Sequence, residues 1–274
     1  MSASRTEQFD TPTPITLHVH LAAGGVEVTA GPSATTTVEV SSPDEGNGRS
    51  RSAAEGTRVE YRDGELVVDV PGRAHGILRR HPSVDVRVSL PEGSSVNVHL
   101  SSADLTTHGV LAAAEATTAS GSVRLHDVTG DVMVTTASGD ISAEHVGGRA
   151  ALHSASGTVR LRRVDGDLDA HSASGDIEIG DAGASVRGRT ASGDITVLVA
   201  RRGAVEVKAA SGDVSVGVAQ GVGVWLDLST MSGDTTSDLA IGDAAPADGC
   251  DLRLTARTMS GDVHVTRAPA TATA

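Results

Sequence analysis

Aromatic rings are almost missing from this sequence: in 274 residues there are only Phe9, Tyr61 and Trp225. A rounded globular core normally fills its volume with rings. A core built from Val, Ile, Leu and Ala instead suits thin layers of regular spacing. Cysteine is as scarce. Cys250 stands alone, so no internal disulfide can staple the fold. No apolar run approaches the roughly 18 residues of a membrane-spanning helix. The first residues, MSASRTEQFDTPTP, lack a basic start followed by an apolar stretch, so no secretory leader is read. The expectation is a soluble, cytoplasmic chain with no direct membrane insertion. Positive charge is also short, the formal net charge being −13. Acidity with so few rings speaks against nucleic-acid binding, which uses basic grooves and stacking platforms.

What is abundant is repetition. A Ser-Gly pair recurs at Ser120, Ser138, Ser156, Ser174 and Ser192, at one constant spacing. It returns at Ser211, Ser232 and Ser260 after longer steps. Counting back once from Ser120 gives Ser102, where Ala103 replaces the glycine. Aligning the copies produces columns. Val123, Ile141, Val159, Ile177, Ile195, Val214 and Val263 form one, and Leu125, Ala143, Leu161, Ile179, Val197, Val216 and Val265 another. Polar residues stand between them, which is the period-2 alternation of a half-buried strand. Val110, Val128, Val146 and Val164 add a further inward position. A second turn, as in Asp165-Gly166-Asp167, then leads to a second alternating strand.

Each unit therefore reads as strand, turn, strand, turn. So small a unit cannot bury its own aliphatic row, but stacked units can. The predicted fold is all-β, a parallel β-solenoid of ~18-residue two-strand coils. With coils about 4.8 Å apart, nine registers span on the order of 40 Å. An antiparallel meander of hairpins is the rival, and identical residues at identical offsets favour the solenoid. The segment from Leu111 to Ala116 is rich in helix formers, yet it keeps the register of the repeat and is read as strand.

The chain divides on this reading into a β-rich N-terminal region over residues 1–95, solenoid repeats over 96–267, and a disordered tail over 268–274. The N-terminal strands are irregular and expected to cap the stack, since an open strand edge invites pairing with another chain. Residues 41–56, with Pro43, Gly46, Gly48 and Gly56, read as an exposed loop. The basic run from Arg73 to His81 reads as another. Residues 239–250 form an insertion that is expected to fold over the final coil. Self-association through an uncapped end stays open.

Three columns carry candidate chemistry. The corner itself explains Ser-Gly: glycine permits left-handed backbone and a short serine hydroxyl serves nearby backbone donors. After it come Asp140, Thr158, Asp176, Asp194, Asp213, Asp234 and Asp262. Stacked carboxylates about 5 Å apart repel one another. Calcium would relieve that, but the nine-residue calcium-solenoid motif is missing and Thr158 interrupts the column, so corner capping is the preferred role. Three residues before each Ser lie His153, His171, Arg189 and Lys208, a basic stripe. Mutual neutralisation, for example Arg189 with Asp194 or Lys208 with Asp213, is the plainer role; docking of an anionic protein partner is the functional one. The third column is Thr118, Thr136, Ser154, Ser172, Thr190, Thr230 and Thr258, which suits a hydrogen-bonded ladder. Read as a flat exposed array it would order ice, but Ala209 breaks it.

Catalytic motifs are missing. There is no G-x-S-x-G elbow, H-E-x-x-H pair or phosphate-binding glycine loop. Coils this short leave little room for the cleft of a polysaccharide-cleaving β-helix. No catalytic residue, metal ligand or cofactor is assigned.

The order of motifs, "VDVRVSLPEG", then "SSADLTTHG", then serial "TASGDI" units, resembles the bacterial DUF4097 β-strand-repeat proteins, also described as adhesin-like or toastrack-like. The likeness spans roughly residues 8–267. It implies a non-enzymatic β-solenoid scaffold or interaction module, in a family some of whose members are attached to membrane or envelope-stress modules. It carries no active-site residues across. A surface adhesin or glycan binder is the alternative, and it would call for export and a ring-lined or metal-lined groove.

Overall fold

A computed structural model describes residues 4–44, 47–71, 82–239 and 251–269. It divides into two compact units, one ending at Gly139 and one beginning at Asp140. Both are built on stacked parallel strands, so the solenoid expectation holds and the hairpin meander does not.

In the first unit the strands are β1 (Ser4–Asp10), β2 (Thr16–Gly31) and β3 (Thr35–Ser41). Helix α1 (Gly48–Glu55) follows, then β4 (Arg58–Arg62), β5 (Glu65–Asp69), β6 (Val84–Pro91) and β7 (Ser95–His108). The unit closes with β8 (Val110–Leu111), β9 (Ala113–Thr118), β10 (Val123–Val128) and β11 (Val132–Thr136). The helix-forming segment is strand, broken only by a bend at Ala112.

Parallel stacking begins before residue 96. Long strand β2 already lies beneath β7, with Leu17 opposite Val96 and Val26 opposite Leu105. On its other side β2 pairs in parallel with β5 and β6. Beyond these the pairing turns antiparallel, β4 on β5, β3 on β6 and β1 on β3. Gly24 is the clue to the early coil: it sits opposite Ala103, at the corner position, with φ +126°. The long stretch of chain between them hides the repeat from any search at a fixed offset. One column shifts as well. Leu111, not Val110, lies opposite Val128. Gly109, with φ +79°, turns the chain at that point.

The loop expected over residues 41–56 contains helix α1. Asn47 caps it, its side-chain oxygen accepting the N–H groups of Arg49 and Ser50 at 3.1 and 3.4 Å. Ala53, Ala54 and Ser50 are buried, and the helix packs against β1, β3 and β6. Two alanines give too faint an apolar stripe to advertise a helix among so many turn formers. The basic run around residues 73–81 and most of the tail fall outside the described residues.

The second unit contains β12 (Ile141–Val146), β13 (Ala150–Ser154), β14 (Val159–Val164), β15 (Leu168–Ser174), β16 (Ile177–Ala182) and β17 (Val186–Ser192). It continues with β18 (Ile195–Ala200), β19 (Gly203–Ser211), β20 (Val214–Val218), β21 (Val224–Ser232), β22 (Thr235–Ser237), β23 (Leu252–Ser260) and β24 (Val263–Arg267). Ile141, Val159, Ile177, Ile195, Val214 and Val263 stand one over the next. All six are at most 1% exposed. A facing column runs Ala150, Leu168, Val186, Val205 and Leu254, also buried. No ring enters this interior. Phe9 and Tyr61 touch each other at 5.7 Å between centroids in the first unit, and Trp225 is 43% exposed.

The last coils are stacked out of chain order. β19 pairs with β23, and β23 then pairs with β21, so Ser260 lies between Ser211 and Ser232. The second strands agree, β20 pairing with β24 and β24 with β22. The coil of β21 and β22, not the C-terminal one, is therefore outermost. Residues 240–250, the expected cover, lie outside the described residues.

Candidate functional site

The corner explains most of the conspicuous residues. At each Ser-Gly pair the backbone of one coil passes so close to the next that a side chain has no room. A Cβ at Gly175 would sit 2.2 Å from the carbonyl oxygen of Gly157, and one at Gly212 would sit 2.1 Å from that of Gly193. Left-handed backbone is the lesser reason: it applies at Gly193, Gly212, Gly233 and Gly261 but not at Gly175.

The Asp column is a ladder of caps. Asp140 Oδ1 accepts the backbone N–H of Thr158 at 2.9 Å, and Asp176 that of Asp194 at 2.9 Å. Asp194 accepts from Asp213, Asp213 from Asp262, and Asp262 from Asp234, each at 2.8 Å. This last run follows the spatial order of the coils, not the chain order. Each carboxylate is thus held by a backbone donor of the next coil, which offsets the repulsion along the column. Among the described residues no three His, Cys, Asp or Glu side chains are grouped as a metal ion requires.

The hydroxyl column faces inward. Thr118, Thr136, Ser154, Ser172, Thr190 and Thr258 are all buried, which rules out an ice-ordering surface. Ser172, Thr190, Thr230 and Thr258 donate to the carbonyls of Gly157, Gly175, Gly261 and Gly212, at 3.3, 3.1, 3.0 and 3.1 Å. The ladder ties hydroxyl to corner, not hydroxyl to hydroxyl.

The basic stripe does assemble. His153 lies opposite His171, His171 opposite Arg189, Arg189 opposite Lys208, and Lys208 opposite Arg257. The rings of His153 and His171 stack at 5.1 Å. Its neutralising partners differ from those expected. The carboxylates of Asp194 and Asp213 accept backbone N–H groups of the next coil. Instead the bases meet acids on the outer face, where strand alternation puts both. His171 Nε2 lies 2.7 Å from Asp169 and Lys208 is bonded to Glu206, each acid two residues earlier on the same strand. Arg257 reaches across to Asp227 of β21 at 2.9 Å. The Lys208 ammonium holds the Glu206 carboxyl below its ordinary range, with smaller help from Arg189 and Arg187.

Two strands of the stripe lack such an acid, and in β13 the residue two before His153 is Ala151. In β17 the residue two before Arg189 is not an acid but Arg187, opposite Asp169 and Glu206 of the flanking strands. Both arginines are exposed. Of those two flanking carboxylates, Glu206 is bonded to Lys208 and Asp169 lies 2.7 Å from the His171 ring, each on its own strand. The Val-Arg-Gly-Arg-Thr alternation announces Arg187, but a single-column reading of the sequence passes over it.

The strands that follow four of the Ser-Gly corners, β12, β14, β16 and β18, present a shallow depression of about 500 Å³. Gly180 lines it, its backbone close against the carbonyl of Arg162. The charges there are matched across strands, Arg160 to Glu178 at 2.9 and 3.3 Å and Arg162 to Glu144 at 2.5 Å.

These repeats match the pattern of Toastrack DUF4097 proteins from residue 16 to residue 266. The chain belongs to the Toastrack family. Solved structures place other proteins on the same fold. A candidate adhesin from Parabacteroides merdae is similar over 96% of this chain and 95% of its own, at a TM-score of 0.54 and 12% identity. A candidate adhesin from Bacteroides fragilis covers 96% of each chain, at a TM-score of 0.51 and 14% identity. No curated protein matches the chain. What these Toastrack likenesses share is the winding of the backbone.

Proposed function

We propose that this Toastrack protein is a non-enzymatic scaffold whose stripe face docks an acidic segment of a protein partner. The observation that carries the reading is β17, where Arg187 and Arg189 stand exposed with no acid on their own strand. Lys208 and His171 flank them, each already held by a carboxylate. A partner's Asp or Glu side chains would complete the pattern that the neighbouring strands complete internally, and arginine forks suit such carboxylates. The non-enzymatic part is supported by how the polar corner residues are used. Five carboxylates of the Asp column and the hydroxyls of Ser172, Thr190, Thr230 and Thr258 are committed to backbone groups.

The test is capture from the native host with wild type and with Arg187→Ala/Arg189→Ala. The same comparison with His153→Ala, His171→Ala and Lys208→Ala maps the rest of the stripe. Partners lost with the arginine pair, and lost on raising salt, support the reading; identical partners from both baits end it. The names given to the P. merdae and B. fragilis proteins favour a second reading, a surface adhesin or glycan binder. Fractionation separates the two, since the scaffold reading places the protein in the cytoplasm and an exclusively extracellular pool favours the adhesin.

A further inference from the structure

Among the described residues, the outermost coil of the second unit leaves a strand edge unmatched: β21 pairs only with β23, and β22 only with β24. The inward row of β21 shows the effect. Val224, Leu226, Leu228 and Thr230 are only half-buried. Their neighbours Leu252, Leu254 and Ala256 in β23 are 0% exposed.

Edge strands are usually blunted with charge, and two others here are. β1 carries Arg5, Glu7 and Asp10, and β4 carries Arg58, Glu60 and Arg62. β21 reads VWLDLSTMS, with Asp227 its only charge, and Arg257 neutralises that one at 2.9 Å. Its outer face shows Trp225, with Arg253 over the ring at 4.4 Å, and Met231, 80% exposed.

We propose that this edge is an interface between two copies of the chain, β21 pairing antiparallel with β21 of the second copy about a twofold axis at Leu228. The segment is self-complementary in that register. Trp225 of one copy meets Met231 of the other, ring on thioether. Leu226 meets Thr230, and Leu228 meets Leu228, extending the aliphatic row across the joint. Asp227 meets Ser229, so no like charges oppose. Moving the axis to Asp227 would set two carboxylates face to face, which selects the Leu228 register. Such a contact uses the same patch on both copies and closes, giving a dimer and not a fibre.

The experiment uses the full chain. Sedimentation equilibrium over about 1–100 μM should show a dimer, since affinities of contacts between proteins run from micromolar upward. Emission of the sole tryptophan, Trp225, should move to shorter wavelength as the dimer forms. Trp225→Glu should weaken the dimer at least tenfold, and Leu228→Lys should abolish it; because Trp225 is exposed, its variant keeps the far-ultraviolet dichroism of the wild type. Register is read by disulfide trapping in a Cys250→Ser background. Directly opposed strand residues have Cα atoms about 4.5–5.5 Å apart, within disulfide reach. Leu228→Cys should therefore cross-link to itself. Trp225→Cys and Met231→Cys should each fail alone, being about 20 Å from their own copies, yet cross-link when mixed. A wild-type monomer at every concentration overturns the proposal. Protected β21 amides in that monomer would mean that the chain covers its own edge, and exchanging ones that the edge serves another strand. A dimer indifferent to Trp225→Glu, or Trp225→Cys cross-linking alone, overturns it equally.

Discussion

Replacing Gly175 with Ala isolates the close approach of successive corners. Gly175 has no left-handed φ, so backbone strain does not enter. The added Cβ would stand 2.2 Å from Gly157 O and 2.7 Å from Gly157 C. Carbon and oxygen in favourable contact stay about 3.3 Å apart, so the two coils must part by about 1 Å at this corner. Three hydrogen bonds cross that gap: Ser174 N–H to Ala155 O at 2.9 Å, Val159 N–H to Asp176 O at 2.9 Å, and Ser172 Oγ to Gly157 O at 3.3 Å. A protein hydrogen bond is worth about 0.5–1.5 kcal/mol net, so weakening all three costs about 2–4 kcal/mol. Two controls separate the causes. Gly221 has φ +75° and open space around its Cβ, so Gly221→Ala should lose only about 1–2 kcal/mol of backbone strain. Gly31 has neither constraint, and Gly31→Ala should change stability by less than about 0.5 kcal/mol. Urea unfolding followed by far-ultraviolet dichroism, at one protein concentration, measures all three. If Gly175→Ala proves no less stable than Gly31→Ala, the coils are not in the contact that the repeated glycine implies.

Two more outcomes follow from the corner and from the outer face. Thr190→Val keeps the side-chain shape but strands the Gly175 carbonyl, so the urea midpoint should fall by the equivalent of about 1 kcal/mol; no change would show that the hydroxyl is dispensable there, as at Ala209. The Asp165 carboxyl is held below its ordinary range, chiefly by the His145 ring and then by Arg163. A lowered carboxyl contributes stability above its unfolded value of about 3.9 and loses it as pH falls through the lower folded value. Wild type should thus lose stability below about pH 4 more steeply than Asp165→Asn, by less than about 1 kcal/mol because the pair is only half-buried and solvent screens it; parallel acid limbs in thermal melts would refute the contribution.

Which parts of this architecture were readable in the sequence depends on how far apart the stacked partners lie. Ile141, Val159, Ile177 and Ile195 recur at a single constant spacing, and a fixed offset sufficed to put them in one column. Gly24 and Ala103 occupy the same corner with most of the first unit's chain between them, and no fixed offset finds them. The exchanged order of the last coils is invisible for a related reason: β21 and β23 carry the same Ser-Gly frame, so either could follow β19. The candidate site was half legible. Equal offsets found His153, His171, Arg189 and Lys208, but the acids beside His171 and Lys208 come from alternation within a strand, and Arg187 stands out only once Asp169 and Glu206 are seen to occupy its row. Helix α1 rests on an Asn47 cap and two buried alanines, a signal smaller than the turn-forming residues around it.

The exchanged order of the last coils bears on synthesis. A nascent chain releases β21 and β22 well before β23 and β24, and their natural seat at that moment is the bare top of β19 and β20. The Ser232 frame fits there as well as the Ser260 frame does. A chain that seats them there reaches the finished arrangement only by strand displacement, the later pair of strands entering beneath the earlier one. Refolding of the intact protein should accordingly be slower than that of a chain ended after residue 239, which keeps the provisional seat.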